Sequence, residues 1–326
     1  MSTWYKLKWP LIALAVALLF NAVFSPGFFH FTIRDGRLYG SIIDILNRAA
    51  PVMLLSLGMT LVIATGGVDL SVGAVMAIAG ASAALLLTKA SFAVPTVIAI
   101  SLAIALVTGI WNGVLVGICK VPPIVATLIL MVSGRGIAQL LTGGQIITFE
   151  NKSFEFIGRG TFAGLPFTIT LVLIVWAILS WLKAKTALGL FIECTGDNET
   201  ASRYCGVSTR NVKLVVYSIS SLCAGIAGLI VSTDIKAADT NNAGLWLELD
   251  AILATVIGGT ALTGGRFYLA GSLLGAILIQ TLTTTILTRG IKVELTLVVK
   301  AVVVIVVCLL QSEKFRAALF RRRLPA

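Results

Sequence analysis

Charge is what this sequence lacks most. Only 12% of its 326 residues are charged, against 58% hydrophobic, and the mean hydropathy is +1.01. A soluble domain carries roughly 25% charged residues, so this chain cannot cover a water-facing globule. Histidine is nearly absent, with His30 alone, and the 5 cysteines show no CxxC spacing. Together these argue against a metal cluster or a disulfide framework. No GxxxxGK[ST], HExxH or GxSxG run occurs, and no Gly-Lys dipeptide exists anywhere. The chain has no phosphate-binding loop and no catalytic constellation of its own. The expectation is no catalytic residue, no metal and no cofactor on this chain.

The chain is rich in glycine and in long apolar runs. Its 31 glycines against 8 prolines suit helices that pack closely in a bilayer. Charge-free runs cover residues 49–68, 70–88, 90–119, 160–182, 214–233 and 267–288, each near the roughly 20 residues that cross hydrocarbon. Residues 9–29 read as a retained first span, too long for the apolar core of a signal peptide. Residues 121–142, 248–265 and 293–311 add three spans that carry Arg135, Glu248 with Asp250, and Glu294 with Lys300. The expected fold is an all-α integral membrane protein of about ten transmembrane helices, broken at Gly-rich segments. It forms one domain over 1–326, and eight or nine spans remain open if 248–264 is re-entrant.

Ten spans put both termini on one side. Placing them in the cytoplasm sends fourteen of the 25 basic residues to that face and nine to the other, as the positive-inside rule favours. The Arg321-Arg322-Arg323 cluster adds to the bias. The net charge of +11 follows from this rule. The basic residues lie at the ends of apolar runs, with no aromatic-plus-basic face, so no nucleic acid partner is expected.

Several segments stand out within this frame. Thr65-Gly66-Gly67-Val68-Asp69-Leu70-Ser71 interrupts two apolar runs. A broken backbone in lipid must be covered by protein or water. Asp69 either caps the following helix or contacts a solute. Gly258-Gly259-Thr260-Ala261-Leu262-Thr263-Gly264-Gly265 matches it at several positions, through an internal repeat or through chance. Arg135, between Gly134 and Gly136, either faces a polar cavity or snorkels. Lys300 has Glu294 as a badly spaced partner. Asn112 and Gln280 are uncharged polar groups in spans, suited to interhelical hydrogen bonds.

The segment 183–212 is the longest expected on the cytoplasmic side. Asp197 or Asn198 suits a helix N-cap and Gly206 a C-cap. Ala201, Tyr204 and Cys205 share one face of the short helix between them. So short a helix needs a surface to pack on.

At these residues the chain resembles the sugar permease subunits of bacterial ABC importers of the ribose/xylose/arabinose type. The resemblance rests on Gly66-Gly67-Val68-Asp69-Leu70-Ser71-Val72-Gly73, on Val121-Pro122-Pro123-Ile124-Val125-Ala126-Thr127-Leu128, and on Glu248-Leu249-Asp250-Ala251-Ile252 leading to Gly258-Gly259-Thr260. The 196–206 stretch departs mildly from the family pattern at Asp197 and Ser202. Within the family, Asp35 to Ser41, Ile43 to Pro51 and Asn241 to Leu247 are most similar to the galactofuranose branch. The resemblance implies a cytoplasmic ATPase that binds ATP, a second permease subunit, a periplasmic sugar-binding protein and an inner-membrane location. It also implies that Gly196, Asp197, Asn198, Glu199, Ala201 and Gly206 belong to a coupling helix seated in the ATPase. Asp69, Asn112, Thr127, Arg135 and Gln280 are then candidates for the translocation path. An ion-gradient-driven transporter of a small polar solute is the rival, and it would need an intramembrane carboxylate relay.

Overall fold

A computed structural model of the chain describes residues 3–24, 28–30, 32–34, 37–90, 92–290 and 293–311. Residues 312–326, with Arg321 to Arg323, lie outside the described residues, as do Asp35, Gly36 and the side chains of Lys6 and Glu294. Thirteen helices are present among the described residues. They are α1 (Thr3–Phe24), α2 (Ser41–Ala64), α3 (Val72–Thr88), α4 (Val94–Gly117), α5 (Pro123–Thr142), α6 (Lys152–Arg159) and α7 (Phe167–Lys185). Then come α8 (Ala187–Asp197), α9 (Glu199–Tyr204), α10 (Thr209–Ile235), α11 (Leu247–Ile257), α12 (Leu269–Thr288) and α13 (Val293–Gln311). Six of them, α2, α4, α5, α7, α10 and α12, are long and apolar enough to cross a membrane.

Nine of the ten expected spans correspond to helices of at least 17 residues. The tenth does not. α11 has 11 residues, about 16 Å of rise, or half the hydrocarbon. The chain leaves it at Gly258 and stays irregular to Tyr268. The apolar run 248–264 looked like a span because hydropathy does not register the Gly-Gly that ends its helix.

α2 is the hub. Leu54, Leu55, Leu57, Met59 and Ile63 are fully buried on its several sides, so it is hydrophobic all round. α10, α11 and α12 wrap it. α4 lies against α10 through Gly109, Gly113 and Gly117, one every turn. A side-chain carbon at Gly109 would come within 2.7 Å of the Tyr217 carbonyl, and one at Gly113 within 2.7 Å of the Leu214 Cα. Only hydrogen fits there, and the two backbones close on each other.

Small hydroxyls tie α2, α11 and α12 together. Thr60 and Ser272 share a hydrogen bond of 2.6 Å, and Thr255 donates to the Ser56 carbonyl at 3.3 Å. Outer faces remain apolar, as at Val107, Val132 and Leu140, which suits contact with lipid acyl chains.

Two groups of paired basic residues occupy opposite ends of the bundle. Arg159 and Lys236 sit beside Asp234 and Glu155 near the start of α2. Lys183 and Lys213 sit at the other end, paired with Glu193 and Glu199. The Lys236 ammonium beside Glu155 holds that carboxyl below its usual value.

Candidate functional site

Three glycines end helices in one way. At Gly66, Gly206 and Gly259 the backbone turns left-handed, with φ of +79°, +85° and +93°. Each is followed by the paired bonds that close a helix on its last carbonyls. Gly66 and Gly67 donate to Ile63 and Val62, Gly206 and Val207 to Arg203 and Ser202, and Gly259 and Thr260 to Val256 and Thr255. This is the glycine C-cap, and it makes the breaks that the glycine clusters foretell.

After Gly66 the chain does not exit the bundle. It runs back between α2 and α10, and Tyr217 donates to the Val68 carbonyl at 3.5 Å. Asp69 is therefore fully buried, about 16 Å along α10 from its Thr209 end, level with Ser220. The sequence placed this carboxylate at the end of a span, but the returning loop carries it inside.

One carboxylate oxygen accepts the Ser71 backbone N–H at 3.1 Å and the Ser71 hydroxyl at 2.6 Å, and the other accepts the Ser220 hydroxyl at 2.9 Å. Asn112 donates to the Ser71 hydroxyl oxygen at 2.9 Å. Thr127 donates to the Pro123 carbonyl at 2.9 Å and lies 3.4 Å from the Val68 carbonyl. Asp69, Asn112 and Thr127 thus meet in one node that joins α3, α4, α5 and α10. Asp69 braces the turn before α3 by accepting the Ser71 N–H, whereas Ser71 holds the N-cap position and no side chain among the described residues bonds the first N–H groups of α3. A buried carboxylate needs such donors.

Arg135 and Gln280 do not join the node. Arg135 donates to the Thr240 carbonyl at 3.0 Å and the Ala243 carbonyl at 2.6 Å, gripping the turn that leads into α11. Gln280 donates to Thr284 of its own helix at 3.4 Å, and bonds no other helix among the described residues. Asn242 and Asn241 donate to Asp239 in the turn held by Arg135, which keeps that carboxyl below its usual value.

The 183–212 segment folds as α8 and α9. Asn198, not Asp197, is the N-cap of α9, and its side chain accepts the Ala201 N–H at 2.9 Å. Gly196 lies against backbone rather than solvent. A side-chain carbon there would sit 1.8 Å from the Ala64 carbonyl oxygen and 2.6 Å from the Gly265 nitrogen. Gly265 in turn donates to that Ala64 oxygen at 2.9 Å. Both glycine breaks thus converge beneath the end of α8.

Glu199 ties α9 to α10. It pairs with Arg203 and, at 2.7 Å, with Lys213. Partial burial pushes its carboxyl up, but the Lys213 and Arg203 bonds outweigh that and leave it below its usual value. Ser202 is buried, whereas Ala201, Tyr204 and Cys205 face outward and Tyr204 is 89% exposed. The helix is thus braced on one side and bare on the other.

The residues that sequence reasoning missed are small or distant. Ser71 and Ser220 complete the Asp69 node. Lys300 pairs with Asp250 at 2.8 Å, joining α13 to α11 across 50 positions, while the side chain of Glu294, its expected partner, lies outside the described residues. No local spacing announces such a pair. Serines in an apolar helix, such as Ser220 and Ser221, were the signal available for the node.

Many close-packed helices, outer apolar faces and interior loops covered by protein define a polytopic membrane protein. Residues 41–308 match the family model described as the branched-chain amino acid transport system / permease component. The chain belongs to that family, which is a transport permease family and not an enzyme family.

Among its relatives the chain is 54% identical over 316 residues to the galactofuranose transporter permease protein YtfT of Escherichia coli (strain K12), covering 95% of this chain and 92% of the relative. It is 38% identical over 315 residues to the fructose import permease protein FruF of Bifidobacterium longum (strain NCC 2705), covering 95% and 88%. It is 34% identical over 320 residues to the ribose import permease protein RbsC of Escherichia coli (strain K12), covering 96% of each chain. These matches make it the permease subunit of an ABC sugar importer, a multi-pass protein of the inner membrane.

Proposed function

We propose that this subunit carries galactofuranose, or a closely related monosaccharide, by alternating access. The 54% identity over nearly the whole chain to a galactofuranose permease supports the substrate. In this reading a partner ATPase binds and hydrolyses ATP, and this chain binds no cofactor. A periplasmic protein delivers the sugar. A second, related but non-identical permease subunit completes the path. Both termini are cytoplasmic.

The observation that carries the mechanism is α9. It is capped at both ends, held from below by Lys213 and bare on its outer face. A six-residue helix with an exposed tyrosine at its tip has the form of a peg for a socket. Gly196 seats that peg on the end of α2, whose other end opens the opposite face. Movement of an ATPase is then passed through α8 and α9 to the two glycine breaks. Asp69, Asn112 and Thr127 hold the segment that must move with α3, and Arg135 holds the entry to α11. Gln280 faces the path from α12.

Rapid uptake assays on the reconstituted importer test this reading. Sugar uptake that requires ATP and the binding protein, and that survives collapse of proton and sodium gradients, is the expected result. Uptake that stops when the gradients collapse would favour the secondary transporter.

A further inference from the structure

A recess of about 410 Å³ opens at the end of the bundle opposite α9. The first turn of α2, the end of α6 and the end of α10 form its walls, with Leu38 and Tyr39 as a lip. Its volume lies within the ~300–1,000 Å³ of small-molecule sites.

The lining is chemically mixed. Asp44 and Asp234 supply acceptors, and Arg159 supplies guanidinium donors. Arg48 stands 3.4 Å from Asp44, and Arg159 stands 4.0 Å from Asp234. The lining itself carries two acids and one base, and Arg48, one turn beyond it on α2, pairs with Asp44, so that the recess and this neighbour together carry no net charge to attract an anion or a cation. Asn47 lines the same space. Its amide oxygen accepts the buried Thr168 hydroxyl at 2.5 Å, which fixes the amide and turns its nitrogen, a donor, to other partners. The α2 terminus adds backbone donors, since no side chain caps Gly40. The Tyr39 ring, 48% exposed, gives one flat apolar wall.

Donors and acceptors in alternation, no net charge and one aromatic wall match one ligand chemistry. It is a small neutral molecule with many hydroxyls and one C–H face. We propose that this recess holds a neutral monosaccharide at the mouth of the permease, on the side away from the ATPase. The proposal rests on the sugar-importer reading and adds to it a holding site on this chain, outside the Asp69 node.

Ser41 and Tyr39 are exposed at the rim, and neither makes a side-chain hydrogen bond among the described residues, so both can be changed without disturbing the bundle. The test uses the complete importer in nanodiscs, without its binding protein. Saturation-transfer NMR follows D-galactose and D-ribose, with inorganic phosphate as the charged probe. Wild type should bind the sugars and not phosphate. Ser41→Trp, which fills the recess, should abolish the sugar signal. Tyr39→Ala should weaken it about tenfold, the scale of one or two lost contacts. Basal ATP hydrolysis should stay unchanged in both variants, which shows an assembled complex.

Sugar binding by Ser41→Trp equal to wild type, or binding of phosphate in place of sugar, overturns the recess. If wild type and Ser41→Trp also import sugar equally, the importer reading stands and only the holding site falls. A wild-type complex that imports no sugar overturns the reading and the recess together.

Discussion

The segments Thr65–Ser71 and Gly196–Gly206 share two ingredients: a glycine that closes a helix, and an Asx side chain that accepts a backbone N–H at or just before the start of a helix. Their surroundings are opposite. Asp69 is fully buried and accepts three hydrogen bonds, two from Ser71 and one from Ser220. Glu199 is half in solvent, and its helix shows one face to water. Local chemistry writes a cap. What the cap is packed against decides whether it is a hinge pin or a handle.

The comparison breaks most visibly at Asp69. Asp69→Leu would orphan three buried donors, each worth roughly 1–3 kcal/mol. A destabilisation of about 3 kcal/mol or more is expected, read as a lower midpoint of thermal unfolding in detergent and lost uptake. Asp69→Asn keeps an oxygen for Ser71 and should cost less than about 1 kcal/mol, because amides cap nearly as well as carboxylates. Equal losses in the two variants would mean that the charge, and not the cap, is what the node needs.

Asp250 and Lys300 come next. Their side chains are 14% and 10% exposed, so Lys300→Met strands a nearly buried carboxylate at a cost of about 3 kcal/mol. Adding Asp250→Asn to Lys300→Met should recover most of it, since a buried pair replaced by neutral groups is often close to neutral. A double variant no better than the single one would place the loss in packing rather than charge.

The smallest effect is expected at Glu199. A carboxyl held below its ordinary value of 4.5 stabilises the fold above that value. The contribution fades as pH falls through the lowered folded value. Glu199→Gln should therefore cost about 0.5 kcal/mol at neutral pH, as partly exposed pairs do. It should make no difference in strong acid, where wild type has lost the same pairs. A thermal-shift series against pH reads this directly.

Much of this arrangement was legible from the residues. Apolar runs located nine helices, seven of them to within a few residues; α1 begins and ends earlier than the 9–29 run, at Thr3 and Phe24, and α2 begins earlier, at Ser41, because Asp44 and Arg48 lie on its exposed first turns. Glycine clusters located the breaks, and Asn198 and Gly206 located α9. What a sequence window could not register was depth. Hydropathy took 248–264 for a span because it averages over Gly258 and Gly259, and it set Asp69 at a boundary because it cannot follow a chain that turns back inward. The partner of Lys300 at Asp250 lies across the fold, 50 positions away, where no local spacing reaches. The Asn112–Ser71–Asp69–Ser220 chain joins three separate segments, so no single motif contains it.

The central claim is that the bare face of α9 engages the ATPase. Ala201→Arg places a long charge on that face beside Tyr204, without breaking a helix held by Asn198 and Gly206. ATP hydrolysis stimulated by the binding protein, measured in proteoliposomes alongside sugar uptake, tests it most directly. The account predicts that both fall together while the thermal midpoint of the isolated subunit stays at the wild-type value. Normal uptake with an undiminished ATPase response would contradict it, and the contact with the motor would have to be sought on another surface.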